Sequence, residues 1–152
     1  MDAPLRERLE SDLKVALKGG DQTSRDTIRF TLAALKNAEI DNRGPLAEND
    51  AIALLQREAK RRADSIDQFR SAKREDLVAR EEEQLQVLRR YLPAALTDDD
   101  LSSLVAEVIQ EVGAAGPKDM ARVMPVLMER AAGRADGRRL SSAVREALAA
   151  RA

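Results

Sequence analysis

The sequence contains no cysteine and no histidine. Without thiols there is neither a disulfide framework nor a thiolate metal site, and without imidazole the commonest metal ligand is gone. The same gaps remove the usual nucleophile and general base of acyl-transfer chemistry. Aromatics are scarce too, with Phe30, Phe69 and Tyr91 making up 2% of the chain. A core built under that constraint draws on Leu, Ile, Val, Met and Ala, which favours packed helices over a sheet. No apolar run approaches the roughly 18 residues of a membrane span. The segment Met1 to Glu10 is amphipathic and acid-bearing, unlike an apolar signal segment. The expectation that follows is an intracellular, cytoplasmic protein with no membrane partner.

An excess of one charge is also missing: 26 basic against 27 acidic residues leave a net charge of -1 over 152 residues. That is not the balance of a dedicated nucleic-acid binder. The distribution says more than the sum. Thr97 to Gly116 holds five acids and no bases, whereas Pro117 to Ala152 holds eight bases and four acids, a local 8 - 4 = +4.

What is present is helical periodicity. Leu5, Leu9, Leu13 and Leu17 recur every four residues in a first helix from about Pro4 to Lys18, stopped by Gly19-Gly20. A second helix is expected from about Thr23 to Glu39, ahead of the turn signal Asp41-Asn-Arg-Gly-Pro45. A third runs from about Glu48 to Ala72, with Ile52, Leu55, Ala59, Arg62, Ile66 and Phe69 at alternating three- and four-residue spacings. Arg62 interrupts that seam, its stem packed and its head reaching water or a carboxylate such as Glu58. A fourth helix covers about Arg74 to Tyr91, and Pro93 closes it.

Thr97 followed by Asp98, Asp99 and Asp100 reads as a capped helix start, and the fifth helix then continues to a stop at Gly113. Gly116-Pro117 opens the sixth, where Pro125 predicts a kink or an early break. The loop Gly133 to Gly137 precedes a seventh helix carrying Leu140, Val144 and Leu148, with Asp136 as its cap. The fold class is therefore all-α. A bundle of about four helices over residues 1-92 is followed by a small three-helix domain over residues 97-152.

Chemistry is thin. Ser102, Ser103, Ser141 and Ser142 sit in helical sequence, not in the strained glycine-rich turn of an activated serine. Neither a phosphate-cradling G-x-x-x-x-G-K-[ST] loop nor a G-x-G-x-x-G is present. Asp98 to Asp100 admits a magnesium reading but is accounted for by the helix start, Glu81 to Glu83 by a solvated face, and Met120, Met124 and Met128 by a core stripe. No catalytic residue, metal site or cofactor is expected.

Two basic features remain. Arg57, Lys60 and Arg61 share a helical surface, with Asp64 placed to pair with Lys60. The second set is Lys118, Arg122, Arg134, Arg138 and Arg139 around the loop of Gly133, Asp136 and Gly137. Glycines there allow close backbone approach, and arginines beside them can grip phosphates in bidentate fashion. The competing reading is a helix connection with solvated arginines.

The ordered segments IRFTLAALKNAEID from Ile28, LLQREAKRRADSIDQFRSAKREDLV from Leu54, LRRYLPAALTDDDL from Leu88, EVGAAGPKDMARVMPVLM from Glu111 and GRADGRRLSSAVREAL from Gly133 resemble the YqeY-like family. The resemblance spans nearly the whole chain. It implies a helical bundle joined to a small helical domain akin to the tail of the GatB subunit of the tRNA-dependent amidotransferase. In that enzyme the tail helps hold tRNA, while glutamine hydrolysis and ATP-dependent transfer occur elsewhere. Lys118, Asp119 and Val123 match the family's sixth-helix pattern, and Gly133, Asp136 and Gly137 its loop. The chain departs from the pattern with Ala121 where glycine is usual and Pro125 where proline is uncommon. The resemblance implies an accessory protein, expected to be a monomer, that binds tRNA or an RNA-bearing complex without catalysis of its own. Two further readings stay open: a component of a glutamine-dependent amidotransferase active only with partner subunits, and a protein-protein adaptor working through the third helix.

Overall fold

The computed structural model describes residues 3–151, which form seven α-helices, one 3-10 turn and no strand. The chain divides into two compact units, Met1–Leu92 and Pro93–Ala152. In the first, α1 (Leu5–Gly19) packs on α2 (Gln22–Asn42), α2 on α4 (Glu75–Arg89), and α4 along α3 (Glu48–Ser71). No helix is long and apolar enough to cross a membrane among the described residues.

The leucine stripe of α1 is only partly buried. Leu5 and Leu9 are 1% and 0% exposed, Leu13 is half-buried, and Leu17 is 47% exposed. A four-residue repeat advances by about 40° per step on a helix of 3.6 residues per turn, so the fourth member has rotated off the packed face. The core of this unit gathers Leu5, Leu9, Ile28, Leu35, Leu55 and Tyr91, with a second cluster of Ala59, Ile66, Val78, Leu85 and Leu88 between α3 and α4.

Helix α2 extends three residues beyond the expected Glu39, to Asn42, because Arg43 itself takes the left-handed stop at φ 56°. Arg62 packs its stem and reaches a carboxylate as expected, but that carboxylate is not Glu58. Its guanidinium reaches across to α4, donating to Glu81 Oε2 at 3.2 Å and to Gln84 Oε1, and lies 5.6 Å from the centre of the Phe30 ring. Glu58 is instead paired with Arg61 at 3.3 Å. Arg62 faces the seam between helices, so its partners come from the neighbouring helix and not from its own. Lys60 and Asp64 do pair along α3, at 3.3 Å.

The second unit comprises α5 (Asp98–Val112), the 3-10 turn Pro117–Asp119, α6 (Met120–Ala131) and α7 (Gly137–Ala149), with the three α-helices packed on one another. Leu101, Val105, Val108 and Ile109 of α5 meet Val123 and Leu127 of α6 and Leu140, Val144 and Leu148 of α7. Thr97 caps α5 in a capping box, its hydroxyl accepting from Asp100 N at 3.0 Å while Asp100 Oδ2 accepts from Thr97 N at 3.4 Å. Pro125 does not break α6, which continues to Ala131. Both Pro125 and Ala121, whose carbonyl loses its partner, are exposed, so water can satisfy the orphaned acceptor.

Candidate nucleic-acid interface

The loop between α6 and α7 is built from its termini inward. Ala132 takes the left-handed C-cap of α6 at φ 49° and Gly133 follows at φ 76°. Two successive left-handed residues turn the chain sharply, and glycine takes this geometry without the Cβ penalty that Ala132 bears. At the far end Asp136 caps α7, accepting from Arg139 N at 2.8 Å. Gly137 is exposed, and a Cβ built on it meets nothing within 4 Å, so internal packing does not demand glycine there.

The five basic residues singled out from the sequence have different fates. Arg134 turns inward on the segment before α5: its Nε donates to Ala94 O at 2.9 Å, and its own carbonyl accepts from Leu96 N at 2.9 Å. Arg139 joins the same segment, donating to Leu96 O at 2.6 Å and to Asp98 Oδ1 at 2.8 Å. Arg122 donates to the last α5 carbonyl, Val112 O, and to Asp119 Oδ1 at 3.4 Å. Lys118 and Arg138 are exposed, and neither side chain has a hydrogen-bond or ion-pair partner among the described residues.

The acidic and basic halves of this unit therefore meet. Glu111 of α5 takes both guanidinium nitrogens of Arg130 from α6, and Asp98 takes Arg139 from α7. The Arg130 hydrogen bond holds the Glu111 carboxyl below its ordinary range. Asp119 is held low as well, first by the Ala115 and then the Gly116 N–H, at 2.8 and 3.3 Å. The exposed cations of this unit left without a partner among the described residues include Lys118, Arg138 and Arg145.

Arg138 and Arg145 stand seven residues apart on α7, close to two full turns, so they share one face of that helix. The candidate set drawn from the sequence omits Arg145, although its spacing from Arg138 was a usable signal. The Arg57, Lys60 and Arg61 surface is partly neutralised by its own pairs, Lys60 with Asp64 and Arg61 with Glu58. Among the described residues no three carboxylates converge in a way that would hold a metal ion.

A family model described as Yqey-like protein matches residues 6–148. "Altered inheritance of mitochondria protein 41, mitochondrial" of Pyrenophora tritici-repentis is 31% identical over 147 residues, which cover 95% of this chain and 81% of that protein. The protein of the same name from Lachancea thermotolerans is 33% identical over 72% of this chain and 60% of its own length. That from Eremothecium gossypii is 37% identical over 57% of this chain and 48% of its own. These relatives are named as mitochondrial, which overturns the cytoplasmic address expected from the sequence. That expectation rested on the lack of an apolar signal segment, and such a lack does not discriminate between compartments. The match along nearly the full length places this chain in the YqeY-like protein family.

Proposed function

We propose that this protein is an accessory RNA-binding protein whose second unit engages the phosphate backbone of tRNA or of an RNA-bearing complex. The observation that carries the reading is the set of exposed cations without a side-chain partner among the described residues, Lys118, Arg138 and Arg145 among them, left over after Arg122, Arg130, Arg134 and Arg139 are satisfied internally. Cations free of internal partners can meet phosphates without first breaking an ion pair, and they release counterions from the nucleic acid. The resemblance of this unit to a tRNA-holding tail domain supports the same choice of partner. With Tyr91 buried and few other aromatics, base stacking has little to work with, so binding would follow charge and backbone shape more than sequence.

The test is a titration against tRNA at increasing salt. The expected result is an affinity that falls steeply with salt, with a slope of about 0.7–0.9 per phosphate contact. Reversal of Lys118 and Arg138 to Glu should weaken binding and flatten that slope. Affinity indifferent to salt, or unchanged in the double reversal, would refute the proposal. The adaptor reading through the third helix gains no support from exposed apolar surface. The large exposed hydrophobics among the described residues are Val15, Leu17, Phe30, Ile40 and Met128, none of them on α3.

A further inference from the structure

The segment before α5 and the first residue of that helix are tied to the loop before α7 and the first turn of α7 by four hydrogen bonds: Arg134 Nε to Ala94 O, Leu96 N to Arg134 O, and Arg139 to both Leu96 O and Asp98 Oδ1. The groups facing Arg139 are thus a carbonyl and a carboxylate, an arrangement of oxygens like the one a phosphate would present to a guanidinium. The ion pair is not buried: the Asp98 side chain is 97% exposed and that of Arg139 33%. An exposed pair of this kind is weak and open to competition from another anion. Arg138, the neighbour of Arg139, has no side-chain partner among the described residues and lies at the same end of α7.

We propose that Asp98 acts as an internal stand-in for an RNA phosphate, holding Arg139 in a closed contact that bound RNA displaces. The proposal rests on the RNA-binding reading above and deepens it by naming a group that restrains that site. Arg138 would make the first contact, and exchange of Asp98 for phosphate would recruit Arg139 and loosen the segment before α5. Asp98 suits such a role because its loss leaves the helix start intact: the cap on α5 is made by Thr97 with Asp100.

The experiment compares the intact chain with D98N, with D99N as a control of equal charge change, and with the double variant D98N/R139Q, all titrated against tRNA at one fixed salt concentration. D98N should bind about two- to fivefold tighter than the parent, D99N should gain less than half as much, and R139Q should cancel the gain. Hydrogen exchange provides a second readout. The Leu96 amide, bonded to Arg134 O, should exchange faster when tRNA is bound. Equal gains in D98N and D99N, a gain that survives R139Q, or a Leu96 amide unmoved by tRNA would overturn the proposal. If the parent binds tRNA while D98N and D99N behave alike, and the salt series above falls steeply, the RNA-binding reading stands and the Asp98 role falls. If no variant binds tRNA, both fall.

Discussion

The hydroxyl of Tyr91 donates to Asp12 Oδ2 at 2.5 Å, across 79 positions of sequence. Arg8, one turn before Asp12 on α1, lies 5.3 Å from the centre of the same ring and donates to Arg90 O at 3.3 Å. Together they fasten α1 to the residues that follow α4. Burial, and then the bond to Asp12, push the Tyr91 hydroxyl above its ordinary range.

Tyr91→Phe keeps the ring and removes the bond. Since Asp12 is exposed and can turn to water, the loss should be modest, about 1 kcal/mol in urea unfolding near neutral pH. A raised pKa means the folded state favours the protonated hydroxyl. Its contribution is therefore whole below the unfolded value of about 10 and declines as pH rises beyond it. The gap between parent and variant should narrow in alkali; a gap that widens there would contradict this account.

Arg62 is a cation between helices, its side chain 14% exposed and that of its partner Glu81 24% exposed. Arg62→Ala removes both the packed stem and the bonds to Glu81 and Gln84, and should cost about 2 kcal/mol. Arg62→Met restores the stem without the charge and should recover part of that loss. Thermal melts followed by circular dichroism would show it, and an Ala variant as stable as the parent would remove Arg62 from the list of structural residues.

Leu17 and Leu127 look alike in sequence but not in space. Leu127 is 0% exposed in the core of the second unit, so Leu127→Ala should cost about 2–5 kcal/mol. Leu17 is 47% exposed, and Leu17→Ala should stay within about 0.5 kcal/mol. Comparable losses from both in urea unfolding would mean that α1 packs through its fourth leucine.

Asp119 holds the turn that opens α6 by accepting from the Ala115 and Gly116 amides. Its carboxyl is depressed by those bonds, so the stabilisation it brings is present above the unfolded value of about 4 and is lost as pH falls below it. Asp119→Asn should lower stability at neutral pH and flatten the acid limb of the stability curve. An unchanged acid limb would assign the acid sensitivity to other carboxylates such as Glu111.

Much of the helical framework is legible in the sequence because its signals are local. Thr97 with Asp100, Asp136 before Gly137 and the glycine stop at Gly113 act within one turn of themselves, and the structure uses each of them. Expectation and structure part where the deciding group lies elsewhere in the chain. Periodicity offers Arg62 a carboxylate on its own helix because it reveals no cross-helix partner. Pro125 predicts a disrupted α6, although exposure of the freed carbonyl makes the interruption tolerable. The candidate basic residues are identifiable as a set, but their separation into held and free is not. Arg134 and Arg139 find their partners far along the chain, at Ala94, Leu96 and Asp98.

Composition and interactions within one turn are properties of the chain alone. They were enough to set the all-α class and most helix starts and stops, and to leave thiol and imidazole chemistry out. Which cations stay available was settled by packing. Charges cancel through space, and folding brought acids of α5 against bases of α6 and α7. The excess of +4 between Pro117 and Ala152 is thereby concentrated on a few exposed side chains, Lys118, Arg138 and Arg145 among them.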